Sequence, residues 1–347
     1  MFEREHILTQ ANSEHLWLKV ALLFVTALLP IGALAQSMPE PSPSPAPQAS
    51  PQASPEPAPA APAAPPSEAG PNLSNLTPAQ QAALQEAIIK TSQNPVGNIA
   101  IIPFQNNFNY GVGPYTRFQY NLNIQPVVPF MLSKDMTLIA RTIIPIINQP
   151  SFAPPPVCAS QYGCGSTFGL SDIQEQFFFA PKTKPGALIW GVGPIFQVPS
   201  ASPGTLGAGK WAAGPNVVGL IMPGNIVAGI LASQLWSFAG QVNRPNINAA
   251  LFQPFFNFNL KGGWAISTAP IITANWTATQ NKWAVPLGGG VARTFKLGDQ
   301  LMSLSMLYYT YVSRPITTPQ TNLKVVWSLL YPIKRGIDVQ ELIKENQ

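Results

Sequence analysis

Few of the 347 residues are of the types that carry acid–base, nucleophilic or metal chemistry. Histidine, the usual general base near neutral pH, occurs only at His6 and His15. Cysteine occurs only at Cys158 and Cys164, too few to build a zinc site alone. The glycine run Gly288-Gly289-Gly290 leads into Val291-Ala292-Arg293, without the Gly-Lys-Ser/Thr and strand-to-helix setting of a phosphate loop. This inventory points away from an enzyme, with no catalytic residues, no cofactor and no metal site expected. What remains is recognition by charge and by amide hydrogen bonds. Between Gly97 and Ile333 there are 13 basic residues and four acidic ones, a balance of about +9.

The elements that must position those cations follow from composition. The chain is 46% hydrophobic but only 10% charged, against roughly 25% charged in soluble domains. Its 18 Phe, 8 Trp and 8 Tyr exclude disorder throughout. A helical membrane protein needs repeated apolar runs of about 18 residues, and only Val20–Ala35 comes near. The remaining way to span a bilayer is a closed β-barrel, in which each strand satisfies its neighbours.

Period-two alternation supports this. Phe118, Tyr120, Leu122 and Ile124 alternate with Arg117, Gln119, Asn121 and Asn123, so successive side chains take opposite faces, one lipid-compatible and one wet. Phe252, Phe256 and Phe258 likewise alternate with Gln253, Asn257, Asn259 and Lys261, and Leu323, Val325 and Trp327 with Asn322, Lys324 and Ser328. Twelve strands are expected, at 97–110, 115–132, 136–148, 170–180, 187–198, 210–222, 226–239, 247–260, 264–276, 283–295, 300–312 and 322–333. Connections after odd strands are long and those after even strands short, as in bacterial barrels whose tight turns face the periplasm. The expected lumen-facing residues are Arg117, Gln119, Asn121, Asn123, Arg141, Asn257, Lys261, Lys296 and Lys324. Arg293 falls on the lipid-facing parity and needs a bulge or a strand end. Against the fold stand Pro103, Pro126, Pro145, Pro194, Pro215, Pro254, Pro270 and Pro286, each removing a ladder donor inside an expected strand.

Ahead of the barrel, residues 1–35 read as a signal peptide. Its apolar run ends in Ala33-Leu34-Ala35, with cleavage expected between Ala35 and Gln36; an uncleaved anchor is the alternative. Cleavage removes both histidines. Residues 36–75 are expected to be a Pro/Ala-rich disordered linker, either a tether through the periplasm or a passive tail. A short α-helix is expected over 76–93, with Thr77 as N-cap, Pro78 at the first helical position and Asn94-Pro95 as the stop. The barrel takes 94–333 and a polar tail 334–347.

The stretch Gln93–Tyr115, with Leu122–Phe130, Ala140–Pro150, Gly169–Pro181 and Gly191–Ala201, resembles bacterial outer-membrane proteins labelled "neuromedin U". They are similar to the transporter family associated with the meta-pathway of phenol degradation. The resemblance covers about Gln93 to Ile333 and includes mid-strand prolines. It implies an all-β transmembrane barrel in the cell outer membrane that passes small, hydrophobic or aromatic compounds. The polar tail after Tyr331–Ile333 departs from the usual terminal aromatic residue of such barrels.

The expected function is passage of small solutes, with a basic lumen favouring anions; turn and loop lysines binding lipopolysaccharide phosphates are the alternative. Expected partners are outer-membrane lipid, lipopolysaccharide, the barrel-assembly machinery and the solutes themselves. Scattered basic residues argue against nucleic acid, and the oligomeric state is left open. Cys158 and Cys164, close together in the longest loop of an exported chain, are expected to form a disulfide. The rival reading is a non-conducting structural or adhesive barrel tethered by the Pro-rich segment.

Overall fold

A computed structural model describes residues 93–94, 99–152, 165–184, 186–298 and 300–332. The Ala35/Gln36 cleavage site, the linker, nearly all of the 76–93 helix, Cys158, Cys164 and the 334–347 tail lie outside the described residues.

The described residues form β1 (Ile99–Val112), β2 (Arg117–Ile124), β3 (Val127–Met131), β4 (Met136–Pro150), β5 (Ser166–Leu170), β6 (Ile173–Pro181), β7 (Ile189–Val198) and β8 (Lys210–Ile221). The remainder are β9 (Ile226–Gly240), β10 (Asn248–Asn259), β11 (Trp264–Thr268), β12 (Ile272–Asn275), β13 (Trp283–Leu297), β14 (Gln300–Ser313) and β15 (Thr321–Pro332). β2 with β3, β5 with β6 and β11 with β12 each continue one line across a short break, so the fifteen strands make twelve staves. All pair antiparallel, and the sheet closes where β15 joins β1, from Ile99 opposite Pro332 to Tyr110 opposite Thr321. Closure leaves no edge strand with unpaired donors. The twelve staves correspond one for one to the twelve segments expected from alternation, including the long 151–165 and 199–209 connections at one end.

The prolines have a physical explanation in the breaks. Pro126 separates β2 from β3, and Pro103 of β1 faces that gap, between the pairs Phe104–Ile124 and Ile101–Val127. Pro270 separates β11 from β12, and Pro254 of β10 faces it. Pro145 of β4 faces the β5/β6 break, and Pro286 sits at a register shift in β13. Pro194 and Pro215 lie directly opposite each other, and the flanking β6–β7 and β8–β9 ladders skip pairs beside them. A residue without an N–H is thus placed where the ladder is already interrupted.

The outer face is an apolar belt. Trp190 and Trp264 mark its short-turn end, and Trp236, Trp276 and Trp283 its long-loop end, the girdle positions of outer-membrane barrels. Arg293 lies within β13 opposite Trp264, the first residue of β11, with its guanidinium 5.0 Å from that ring centroid, and not at the bulge or strand end its parity called for.

Inside, the staves differ. Ile139 of β4, Phe178 of β6, Val218 and Leu220 of β8, and Val227 and Leu231 of β9 pack as one buried cluster, joined by Leu251 and Phe255 of β10. Phe178 shares the parity of Gln176, which accepts from Arg141 across the polar interior, so the cluster lies on the inner face. A uniformly wet inner face, the expectation from β2, β10 and β15, therefore holds for only part of the circumference. Where both faces of a stave are apolar, alternation alone cannot show which one points inward.

Candidate functional site

The polar part of the interior spans β15, β1, β2, β4 and β6. A cavity of about 200 Å³ is lined by Asn107 and Asn121 on one side and by Ile271, Pro286 and Tyr309 on another. Staves from opposite parts of the sheet border it, so the face they share is the inner one.

Amide side chains tie this wall together in tiers. In the first, the Gln105 amide donates to Asn107 at 3.2 Å and Gln125 donates to Gln105 at 3.4 Å. Arg141 completes it, donating to Gln125 at 2.7 Å and to Gln176 at 3.2 Å. A second tier lies nearer the long-loop end: Asn322 donates to Asn109 at 2.8 Å, Asn109 to Gln119 at 2.8 Å, and Gln119 to Gln149. Above it Arg117 donates to the Ser151 carbonyl and stacks 5.0 Å from the Tyr115 ring centroid. Residues two apart on a strand and directly opposite across a ladder share a face, which is what the spacing of Arg117, Gln119, Asn121 and Asn123 provides.

On the facing wall the β11/β12 break frees the backbone of Ala269, the residue before Pro270. Its N–H donates to the Tyr309 hydroxyl at 2.9 Å, and its carbonyl accepts a long 3.4 Å contact from Lys324 Nζ. Tyr309 is 2% and Lys324 5% exposed. Tyr309 sits opposite Gly288 of β13. A Cβ at Gly288 would lie 2.0 Å from the Tyr308 carbonyl oxygen, and one at Gly290 2.0 Å from that of Met306. The glycine run thus serves close strand approach rather than phosphate binding.

A second cavity of about 350 Å³ lies toward the long-loop end, lined among others by Ala208, Arg244, Asn248, Thr273 and Lys282. Thr273 borders both cavities. The 199–209 connection is held beside this vestibule by Asp172, at the β5/β6 break. Asp172 accepts from the Ala208 amide at 2.7 Å, the Ala201 amide at 3.3 Å and Gln197 at 3.3 Å. Arg244 donates to the Gly204 carbonyl at 3.0 Å, joining this connection to the next.

Of the expected lumen residues, Arg117, Gln119, Asn121, Asn123, Arg141 and Lys324 lie on this inner polar wall. Asn257 accepts a 2.5 Å bond from Ser267 on the inner face of β10, away from that group. Lys296 shares the parity of buried Thr294 on β13 but is exposed at the short-turn end. Lys261 is a correction: it lies in the 3-10 turn Lys261–Gly263, beyond the end of β10, because the strand stops at Asn259. Sequence reasoning passed over Gln105, Gln176, Asp172 and Tyr309, while Gln125 continues the wet face of Arg117–Asn123. The three glutamines carry the same alternation signal, whereas Tyr309 gains its role from a break two staves away. On the outward parity, Glu175 accepts a 2.6 Å bond from the Thr142 hydroxyl, a buried polar pair between Phe177 and Ile173.

No protein-family model matches the sequence, and no curated relative matches it. Among solved structures, an outer-membrane channel from Pseudomonas putida superposes with a TM-score of 0.50 at 11% identity, covering 67% of this chain and 94% of that one. The β-domain of the Bordetella autotransporter Brka gives 0.36 at 12% identity over 68% and 100%. The Pseudomonas putida toluene transporter TodX gives 0.34 at 9% identity over 73% and 93%. The first shares the fold; the other two overlap too loosely to bear on function. A closed antiparallel barrel with an apolar outer belt and tryptophan girdles is an outer-membrane protein.

Proposed function

We propose that the chain is a channel for small solutes that combine an apolar or aromatic body with a polar or anionic group. The observation that carries this is the mixed interior: amides and cations on β15, β1, β2 and β4, together with a buried apolar cluster that runs from Ile139 of β4 through Phe178 of β6 to Leu231 of β9. A purely aqueous pore has no use for buried Phe178, Val227 and Leu231 inside it, and a purely apolar one has none for Arg141 and Lys324. The resemblance of Gln93–Pro150 to transporters of the phenol meta-pathway supports aromatic compounds. By the loop-length rule the vestibule faces outward, with lipopolysaccharide and lipid around it and the barrel-assembly machinery as the means of insertion.

Liposome swelling tests the reading. Full-length protein should admit small aromatic acids and alcohols faster than sugars of equal mass. Deletion of Ser37–Pro71 should leave the rates unchanged if that segment is only a spacer. Vesicles impermeable to every solute would support the tethered, non-conducting barrel instead.

A further inference from the structure

We infer that the inner cavity is a binding site for aromatic carboxylates, with Lys324 as the group that holds the anion. This rests on the reading of the barrel as a solute channel and gives that channel its specificity. Lys324 carries three N–H donors. One makes the long contact to the Ala269 carbonyl, and the Tyr309 ring lies beneath the ammonium at 4.9 Å. A cation so enclosed is costly to hold without an anion, yet among the described residues no Asp or Glu lines this cavity or the vestibule.

The rest of the cavity matches the rest of such a ligand. Tyr311 and Pro286 border the cavity and offer apolar surface to a ring. Across from them Asn107, Asn121 and Asn123 line the cavity, side-chain amides matched to a polar ring substituent. About 200 Å³ suits a single substituted ring. Arg244 and Lys282 line the vestibule that shares Thr273 with this cavity, so the approach carries the same sign of charge, which concentrates anions ahead of the site.

The test is chloride current through the full chain in a planar bilayer, with benzoate, benzyl alcohol or benzylammonium added. Benzoate should reduce the current saturably while the neutral alcohol and the cation do not. Lys324→Met should raise the half-blocking concentration at least tenfold, and Lys324→Arg should restore block. A wild-type current indifferent to benzoate, or equal block of Lys324→Met, overturns the site while leaving the channel. Absence of chloride current overturns the channel reading and the site with it. Where Lys324→Met does not insert, the wild type decides: block by benzoate alone supports the site, and equal block by benzyl alcohol overturns it.

Discussion

The ammonium of Lys324 lies 4.9 Å from the centre of the Tyr309 ring, and both side chains end on one residue, Ala269. Neither is a sequence neighbour of that residue, and each answers one half of the backbone freed by Pro270. Cation–π contacts contribute about 2 kcal/mol when desolvated, so the pair stabilises itself while it closes the break.

Tyr309→Phe keeps the ring and the cation–π contact but leaves the Ala269 N–H without its acceptor. A buried donor left unsatisfied costs about 1–3 kcal/mol. The unfolding midpoint in urea, read from the gel-mobility shift of the folded barrel, should fall accordingly, while Lys324-dependent block by benzoate persists. An unchanged midpoint would mean that Ala269 finds another partner.

Gly288→Ala and Gly290→Ala should each fail to give folded barrel, since the added carbon meets a backbone carbonyl at 2.0 Å in both cases. Gly288 also has φ +154, conformational space that other residues enter with strain. Gly204→Ala, where nothing lies within 4 Å of the added carbon, is the matched control and should insert normally. Yield of heat-modifiable protein distinguishes them.

Asp172→Ala removes the acceptor for two backbone amides of the 199–209 connection and for Gln197. That connection should become sensitive to added protease in intact vesicles, and the current should rise and become noisier as the vestibule loosens. Asp172→Asn keeps an acceptor oxygen and should fall between. Protease resistance equal to wild type would show that Arg244 and the Leu170–Ser202 bridge hold the segment alone.

Much of this architecture was legible in the chain. Alternation in Arg117–Ile124 identified both the strand and its inward residues, because a side chain two positions away returns to the same face. The same logic failed on Lys261, where Gly262 and Gly263 turn the chain before its parity can matter. Inward Phe178 and Val218 were hidden because their staves are apolar on both sides. The prolines read as objections, since their compensation lies in partner strands far away in sequence: Pro103 beside Pro126, and Pro254 beside Pro270. The Tyr309–Ala269 bond was invisible for the same reason, as it exists only once three staves are side by side.

Glu175 bears on how the outer face tolerates polarity. Its carboxyl, paired with Thr142, has the parity of the lipid-facing Phe177 and Phe179. Glu175→Gln preserves an acceptor for the Thr142 hydroxyl and should fold with an unchanged urea midpoint. Thr142→Val leaves the carboxyl without its donor and should lower the unfolding free energy by about 1–3 kcal/mol, read as a lower midpoint. Equal behaviour of the two variants would show that the pair makes no contribution.

The central claim is a solute channel whose inner path is cationic, and single-channel recording under a tenfold KCl gradient tests it most directly. The predicted result is discrete conductance steps with a reversal potential on the chloride side, shifted toward zero by combined replacement of Arg141 and Lys324 with glutamine. Silence in the bilayer, or reversal on the potassium side, would contradict it.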